Sequence, residues 1–516
     1  MTGIVVVDML SPPIHRVREG EPLPPPTSSY SILSEESHPP SPSRPPQQRL
    51  RHRFSKRVRL WGVLLVAVLV QFGAHFIKTI SPLKAYYAKD PQWNPPIDSL
   101  RWGWFQSVGT LPNLILPAIG GVLVDKRWGV KLGVMFFLGV VCTGQFVFFL
   151  GTKIHIYWLA LTGRFIAGLG QGCVSSLTGA IAAIYFPDKI TFAIGLTESF
   201  HSLSGVVSKT TLAPVAELFH GDYSMAIMWG LFWCLVSTTV SYWWVRMSKK
   251  TRFRQMPQQH VRVKGAAIFR DFRKTLMLPL AFWVVCILHL LFSNAHRVFG
   301  HIDADYLRAK YDYSKVKSGK TAAITDSLGI VLSPLMGLAI DHMGRSAVSL
   351  PIILMIAGSV GSVGYYLLSS NLLASPDVPL LMLSFCNAIT PTVLRATVPS
   401  AIQGSGALFA TAYGCYEVME AAGVFIGGWM VGLVKTMTGT YREVVLWFSV
   451  SLILAVLLSL SLLILQYRRG KNGINEGGST TDEEEERNSL LVDRQPVPKK
   501  DAPSGPMAGT TTTATV

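Results

Sequence analysis

The sequence contains few charged residues, and fewer acidic than basic ones. Only 15% of its 516 residues are charged, against about 25% in soluble globular domains, while 49% are hydrophobic. This combination argues against a soluble enzyme. The 30 acidic residues are outnumbered by 47 basic ones, which gives a net charge of +17. Such an excess of positive charge is compatible with binding to nucleic acid, with binding to an anionic membrane surface, or with neither. The position of the basic residues along the chain distinguishes these possibilities.

The sequence is also poor in cysteine and lacks the usual marks of a secreted or catalytic protein. Its six cysteines lie inside apolar segments at spacings that suggest neither a disulfide framework nor a metal site, and we expect no cofactor. The early apolar run at residues 4–7 is too short for a cleavable signal peptide. A nucleophile, a base and an orienting group do not occur together on any predicted loop, so we do not expect an enzyme.

Long apolar segments dominate what is present. A helix needs about 20 residues to cross roughly 30 Å of hydrocarbon, and twelve segments have about this length. The sequence therefore predicts an all-α membrane protein with twelve transmembrane helices. They lie at about 60–80, 102–124, 131–151, 157–185, 191–213, 223–245, 275–297, 321–340, 347–369, 379–398, 405–433 and 444–466.

The apolar segments divide the chain into five parts. Both terminal segments are polar, and the first is rich in proline, so we expect neither to fold alone. The predicted parts are a disordered cytosolic tail at 1–58, a six-helix bundle at 59–246, a basic cytosolic linker at 247–274, a second six-helix bundle at 275–466 and a disordered cytosolic tail at 467–516.

The positive charge is concentrated beside the membrane. Residues 44–59 carry +7 and residues 246–274 carry +9, together 16 of the 17 net charges. Basic loops stay in the cytosol, so both termini are predicted to be cytosolic. Segments of this kind contact anionic lipid headgroups, and they lack the folded basic face that a nucleic-acid-binding module needs. We therefore expect membrane lipids as partners and no nucleic acid.

One loop motif occurs twice, after the second helix of each predicted bundle. Glycine in such a loop permits a tight turn, and aspartate can pair with nearby basic residues or with a neighbouring helix N-terminus. Two copies at equivalent places indicate an internal repeat, although either copy alone would be compatible with a plain charged turn. The motif residues are Gly121, Asp125, Lys126 and Arg127 in the first copy and Gly337, Asp341 and Arg345 in the second.

With these loops, the chain resembles the major facilitator superfamily over roughly residues 58–467. The segment Gly163-Arg164-Phe165-Ile-Ala-Gly168 is similar to a second signature of that family. The resemblance implies two six-helix bundles that rock about a central site by alternating access, without a cofactor. It also implies that the two repeated loops are gating loops.

Within the family, the chain looks most like the branch that contains the lysosomal dipeptide transporter. This likeness implies a dipeptide substrate and a glycosylated accessory subunit. The loops predicted to face the lumen contain no Asn-x-Ser/Thr acceptor, which is compatible with a need for such a subunit. The chain departs from the branch at Gly172-Cys173, where an acid is expected, and at His201-Ser202, where a base is expected.

Ionisable residues at membrane depth are the candidate site residues, because each costs about 2.5–3.5 kcal/mol at a helix centre unless it has a partner or a cavity. We expect Lys78, Arg297 and Asp326 to lie near helix ends and to reach the interface. Trp102 and Trp104 are expected in the interfacial aromatic belt. The predicted substrate-binding residues are Arg164, Glu198, His201, Arg395, Tyr413, Glu417 and Glu420.

These residues include both signs of charge, which a zwitterion needs for its two ends. Glu198 and His201, three residues apart on one helix face, form a candidate proton-sensing pair or a simple hydrogen bond between neighbours. Glu417 is a candidate for substrate contact or for an ion pair with Arg395 or Arg164.

Two short motifs in the tails resemble endolysosomal sorting signals that adaptors read. Each is short enough to arise by chance. The first is an acidic dileucine pattern with Glu486, Leu490 and Leu491, and the second is a tyrosine pattern with Tyr30 and Leu33.

Three functions remain open. The first is a secondary active or facilitative transporter of a small zwitterionic solute, such as a dipeptide, in the lysosomal or vacuolar membrane. The second is a proton-coupled carrier of an organic anion or another metabolite at the plasma membrane. The third is a non-transporting membrane sensor or scaffold whose tails recruit partners.

Overall fold

The computed structural model describes residues 68–117, 129–186, 189–250, 278–343, 349–401 and 409–492. Several predicted residues lie outside these ranges, namely Tyr30, Leu33, Gly121, Asp125, Lys126, Arg127 and Arg345, as does the predicted tail at 1–58. Tyr413, Glu486, Leu490 and Leu491 lie on helices that are described there without their side chains.

The first half of the described chain, residues 68–250, is helical. Its first helix, α1, is described from residue 68 to residue 76. A 3-10 turn at Ser81–Leu83 follows, and a second one at Leu111–Leu114 interrupts the next predicted span where Pro112 cannot donate a backbone hydrogen bond. The other helices are α2 (Lys84–Tyr87), α3 (Ser99–Ser107), α4 (Gly129–Lys153), α5 (Tyr157–Tyr185), α6 (Ile190–Leu218) and α7 (Tyr223–Lys250).

The second half, residues 278–492, is built in the same way. Its helices are α8 (Leu280–Gly300), α9 (Asp303–Tyr311), α10 (Lys315–Ala322), α11 (Ile324–Ser327), α12 (Gly329–Met343), α13 (Ser349–Ser369), α14 (Asp377–Ala401), α15 (Phe409–Thr438) and α16 (Arg442–Val492). Segments α10 to α12 follow one another directly and together form one span, Lys315–His342.

Within the described ranges, eight helical spans are long and apolar enough to cross a membrane. Each coincides with a predicted span. Helices α5 and α6, with 29 residues each, match two further predicted spans. The predicted spans at 60–80 and 102–124 lie partly outside the described residues. The all-α multi-pass membrane architecture is thus confirmed.

Each half has its own hydrophobic core. One cluster of buried residues runs from Leu278 to Leu462, and separate clusters lie between Val70 and Trp244. In the first half α4 packs on α5 and α7, and in the second half α13 packs on α14 and α16. Helix α6 packs along α12, and α3 packs on α15, so these two pairs join the halves.

The α6–α12 seam is close because glycines line it. A Cβ atom on Gly195 would lie 2.4 Å from the carbonyl oxygen of Ser333, and one on Gly337 would lie 2.4 Å from that of Thr191. Farther along, a Cβ atom on Gly205 would lie 2.8 Å from Oδ2 of Asp326. Small residues therefore let the two helix backbones approach each other along their length.

The bundle has two ends, which we name after one aspartate at each. The Asp305 end carries residues 88–98, 301–314, 370–376 and 439–441, and the Asp341 end carries the first turn of α6 and the last turn of α12.

Two predictions differ from the structure. Trp102 is only 1% exposed and packs on Tyr87 at 5.3 Å between ring centroids, so it belongs to a buried aromatic cluster at the Asp305 end and not to an interfacial belt. Trp104 is 37% exposed.

Helix α16 continues to Val492, through part of the segment predicted as a disordered tail from residue 467. The run of glutamates at 483–486 favours this continuation.

Candidate functional site

A polar cavity of about 110 Å³ lies between the two halves. This volume holds several water molecules or a small solute. Charged groups from both halves line it, although the helices around it are apolar. The first half contributes His75, Lys78, Arg164, Glu198, His201 and Lys209, and the second half contributes His296, Arg297, Asp326, Arg395, Glu417 and Glu420.

Arg395 on α14 joins two carboxylates in the middle of the bundle. Its Nη1 donates to Oε1 of Glu198 at 2.6 Å, and its Nη2 donates to Oε1 of Glu417 at 3.0 Å. Glu198 belongs to the first half, whereas Glu417 belongs to the second. Of the partners predicted for Glu417, the structure selects Arg395.

Arg297 on α8 forms a second group of ion pairs beside the first. Its guanidinium lies 3.3 Å from Glu420 and 3.7 Å from Glu198, and it donates to the His201 ring at 2.9 Å. Glu420 also contacts Nε2 of His289 at 3.1 Å. Three carboxylates, Glu198, Glu417 and Glu420, therefore share two guanidinium groups.

His75 and Lys78 on the first half bring unpaired polar groups to the cavity. The His75 ring stacks on His201 with 3.8 Å between centroids, and neither of its nitrogens has a hydrogen-bond partner among the described residues. Lys78, one turn later, forms no ion pair with any carboxylate in the described ranges. Both polar groups are thus left without a carboxylate partner among the described residues.

Arg164 on α5 is a buried cation whose hydrogen bonds go to the backbone. Its Nε donates to the carbonyl of Phe105 at 3.0 Å, and its Nη1 donates to that of Ile77 at 2.6 Å. The ring of Phe148 lies 5.5 Å from the guanidinium carbon. Two carbonyls hold the side chain in place but do not neutralise its charge.

Lys209 on α6 closes the cavity towards the Asp305 end. Its ammonium lies 2.6 Å from both Asp303 and Asp326, and it donates to Thr325 at 2.7 Å. Both aspartates belong to the second half, so this contact also joins the halves.

A second contact between the halves lies at the same end. Asp305 is 2.8 Å from Lys84 of the first half and 3.0 Å from Lys435 of the second, and it accepts a hydrogen bond from Tyr441. Burial opposes ionisation of this carboxyl, but the ammonium groups of Lys84 and Lys435 outweigh it and hold the pKa of Asp305 well below its usual range.

At the opposite end, Asp341 caps α6. Its carboxylate accepts hydrogen bonds from the backbone amides of Thr191 at 3.3 Å and Phe192 at 2.8 Å. A negative charge is favourable at this position because the helix N-terminus carries unsatisfied amides and a partial positive charge. Of the partners expected for Asp341, the structure shows the helix N-terminus.

The structure brings together most of the residues predicted for the site. Glu198, His201, Arg164, Arg395, Glu417 and Glu420 all line one cavity. Lys78, Arg297 and Asp326 were expected at the interface, but they line the cavity as well. Helices or helical turns follow all three residues in the chain, so the bundle extends beyond the ends of the apolar segments. A charged residue near the end of an apolar segment can therefore still lie at the cavity.

Sequence reasoning missed Asp303, which lies between two predicted spans. It also missed the polar stripe of α8, although His289, Ser293, His296 and Gly300 recur at helical spacing on one face of an apolar segment. That periodicity was a usable signal.

Comparison with known proteins agrees with this architecture. A family model described as the Major Facilitator Superfamily matches residues 64–428. The lysosomal dipeptide transporter MFSD1 of Bos taurus is 22% identical over 415 residues, covering 78% of this chain and 84% of that protein. The Homo sapiens protein of the same name is 22% identical over 438 residues, covering 83% and 89%.

Solved structures share the fold. The Major Facilitator Superfamily transporter FucP, in the outward conformation, aligns with a TM-score of 0.57 at 13% identity, over 79% of this chain and 99% of that one. A variant of the E. coli fucose:proton symporter FucP aligns with the same TM-score at 14% identity and the same coverage. These relatives are transporters, in agreement with the expectation that the chain is not an enzyme.

Proposed function

The chain belongs to the major facilitator superfamily, and from this membership we propose that it carries a small zwitterionic solute across the lysosomal or vacuolar membrane by alternating access. Dipeptides are the first solute class to test, because they carry one ammonium and one carboxylate close enough together for both to bind within one small cavity. The proposal covers both facilitated and proton-driven transport.

The observation that carries the proposal is the distribution of unmatched charge across the cavity. On the first half, Lys78 and Arg164 present cations without a carboxylate partner among the described residues. On the second half, Glu417 and Glu420 share their guanidinium partners with Glu198. Among the described lining residues, the first half thus contributes three cations, Lys78, Arg164 and Lys209, against one carboxylate, Glu198. The second half contributes three carboxylates, Asp326, Glu417 and Glu420, against two guanidinium groups.

This arrangement matches a zwitterion that lies between the halves. We infer that Lys78 and Arg164 bind the solute carboxylate, with His75 as a further donor or acceptor, and that Glu417 and Glu420 bind the ammonium. Tyr413, on the same helix as both acids, remains a proposed site residue. Ionised groups make hydrogen bonds roughly twice as strong as neutral ones, so both solute ends contribute to affinity. A solute held by both halves favours the state in which they are close, which couples binding to rocking.

The proposed lysosomal or vacuolar location draws on the lysosomal relatives named above and on the dileucine pattern at Leu490 and Leu491. On this topology both tails face the cytosol and the Asp305 end faces the lumen. A glycosylated accessory subunit and sorting adaptors are the proposed protein partners. The motif residues Gly337 and Asp341, with their counterparts in the first half, are proposed as the gate opposite the lumen.

Uptake into proteoliposomes tests the proposal. The purified full chain is given labelled dipeptides, single amino acids and monocarboxylates, with and without a pH gradient. Dipeptides capped at either end serve as matched controls, since each removes one charge. We expect uptake of free dipeptides and loss of uptake for both capped forms, whereas equal uptake of free and capped forms would contradict the zwitterion site.

The second candidate is an organic-anion carrier, which Lys78 and Arg164 favour because two unmatched cations suffice for a carboxylate. In the same panel, this function predicts that monocarboxylates and amino-capped dipeptides are taken up as well as free dipeptides. Absence of transport for every member would instead favour the sensor or scaffold.

A further inference from the structure

Lys209, Asp303 and Asp326 form a buried group of three charges that spans the two halves. The Lys209 side chain is 2% exposed and that of Asp303 is not exposed at all. The ammonium belongs to α6 of the first half, whereas the carboxylates lie on α9 and α11 of the second. One cation thus serves two anions, and it comes from the opposite half.

The two carboxylates lie close to each other. Each has an oxygen 2.6 Å from the same nitrogen, so these oxygens are no more than about 5 Å apart. Asn387 of the second half donates to Asp326 at 3.3 Å. Ser81 of the first half donates to Asp303 at 2.8 Å and leaves with Lys209 when the halves part.

Opening the Asp305 end therefore affects these acids differently from the other ion pairs. When the halves separate, Arg395 keeps Glu417 and Arg297 keeps Glu420, because each of these pairs lies within one half. Glu198 keeps its contact with His201, which is an ion pair only when that ring is protonated. Neither Asp303 nor Asp326 has an ion pair with a lysine or arginine of its own half in the described ranges. They are left as two adjacent negative charges.

Two carboxylates at such a distance do not both stay ionised readily, and they titrate as a pair. We propose that Asp303 and Asp326 form a proton-binding pair, which Lys209 occupies when the Asp305 end is closed and one proton occupies when it is open. The compartment that faces this end supplies the proton, and when Lys209 returns on closing, the proton leaves through the cavity, which Asp326 lines, towards the opposite side. Proton binding itself does not require a solute, but its use to drive transport rests on the proposed function.

Other titratable groups face the pair and must be separated from it. His296 of α8 lies near Asp326, His301 lies near Lys209, and Tyr365 of α13 lies near Asp303. His296 is held by Cys386 at 3.0 Å, and Tyr365 donates to the carbonyl of Ala295 at 2.8 Å. Variants of the two aspartates distinguish the pair from these neighbours.

The test measures opening of the Asp305 end without a solute. Spin labels are placed on cysteines that replace Lys89 of the first half and Ser375 of the second, both exposed at this end, in the full chain in lipid nanodiscs, with the partly exposed Cys142 and Cys415 replaced by serine. Distance distributions are recorded by electron–electron double resonance between pH 5 and 8. If opening takes up one proton, the open-to-closed ratio rises by up to about tenfold per pH unit of acidification.

Asp326→Asn leaves a single carboxylate for Lys209 and should remove this pH dependence, while Asp326→Glu should retain it. Asp303→Asn gives a second, independent loss. Asp222→Asn is the matched control, because Asp222 is also 2.6 Å from a lysine at this end, but both partners lie in the first half. A pH-independent ratio in the unmodified protein, or an unchanged slope in both asparagine variants, would overturn the proposal. Opening by sodium chloride at pH 7.5, but not by choline chloride, would also overturn it in favour of sodium.

Transport assays provide a second test of the proton-binding pair. In Asp303→Asn, at a position outside the described lining of the cavity, we expect exchange of labelled dipeptide against unlabelled dipeptide to continue within about twofold of the unmodified protein, since exchange needs no net proton movement. Accumulation driven by a pH gradient should be lost, and retained accumulation would contradict the proposal. If the unmodified chain opens with acid but carries no solute of the panel, the transport function fails and the proton pair stands.

Discussion

The guanidinium of Arg395 lies 2.6 Å from the carboxylate of Glu198, and the two residues belong to opposite halves of the molecule. Both side chains are buried, with 12% and 8% exposure. The halves are thus joined by charge at the middle of the bundle, where a solute would also bind. The proposed zwitterionic solute would therefore compete with these ion pairs.

Glu198→Gln separates two roles for this residue. Because the change leaves Arg395 and Arg297 with less countercharge, we expect dipeptide uptake to fall at least tenfold at every lumenal pH from 5 to 7, with its pH dependence retained. Removing one member of a buried ion pair costs about 3–5 kcal/mol, which is ample for this loss. Glu217→Gln, at an exposed position on the same helix, is the control.

The pairing of Glu198 with His201 predicts a different result. If these two residues sense the proton, the variant should keep its uptake and lose its pH dependence. A flat pH profile at near-normal rates would therefore transfer the proton site from Asp303 and Asp326 to Glu198.

Lys78→Met tests the carboxylate subsite. A hydrogen bond to a charged group is worth about 1.5–3 kcal/mol, so KM for free dipeptides should rise about 10- to 100-fold. Lys78→Arg should recover most of the affinity, and Lys89→Met, at an exposed position, should have no effect. An equal rise in KM for dipeptide amides would count against a role in carboxylate binding.

Gly195→Ala tests the close seam between α6 and α12. The added Cβ atom would lie 2.4 Å from the Ser333 carbonyl oxygen, and overpacking of this kind costs about 1–3 kcal/mol. We expect a lower melting temperature in detergent. Gly139→Ala is the matched control, because a Cβ atom there meets no atom within 4 Å, and it should be neutral or stabilising. Equal melting temperatures for the two variants would show that the seam is not tight.

Asp305→Asn should destabilise the protein equally at pH 5 and pH 7. The folded-state pKa of Asp305 lies below the unfolded value of about 3.9, so its contribution is complete above roughly pH 4 and is lost only as the pH falls through the lower folded value. The melting temperature, compared with that of the unmodified protein at both pH values, checks this. Asp222→Asn, in a more exposed pair, should cost at most about 1 kcal/mol. A smaller drop in melting temperature at pH 5 than at pH 7 would contradict a folded-state pKa of Asp305 below the unfolded value.

Replacing Leu490 and Leu491 by alanine should move the protein to the cell surface, since an adaptor that reads the dileucine pattern would no longer bind. Fluorescence microscopy and surface biotinylation measure the change. Val492→Ala is the control, because it replaces an apolar residue directly beside the pattern and leaves both leucines in place. An unchanged punctate distribution would exclude this signal.

The helical membrane architecture could be predicted from the sequence because its signal is local. Segments of about 20 apolar residues report spans directly, and the predicted span at 157–185 coincides with α5. The polar residues inside these segments could be selected in the same way, since a charge at membrane depth needs a partner. Glu198 and Arg395 are both predicted as site residues on this ground alone.

The pairing of these charges could not be predicted, because it depends on how distant helices meet. Arg297 lies three residues before the end of α8, where a basic side chain usually reaches the interface, but α9 continues the structure outward and keeps it at the cavity. Asp303 lies outside every apolar segment, and only the approach of α6 shows that Lys209 faces it. Trp102 is buried for a similar reason, since the residues around Tyr87 cover it.

One lysine faces two aspartates at the closed end. Because a proton takes the place of this lysine in the open state, the proposed transport cycle is electrogenic. A dipeptide zwitterion is neutral, whereas the proton that replaces Lys209 is not, so each turnover would transfer one elementary charge across the membrane. Moving that charge through 100 mV is worth about 2.3 kcal/mol. The membrane voltage, as well as the pH difference, would then set the steepest solute gradient that the carrier can sustain.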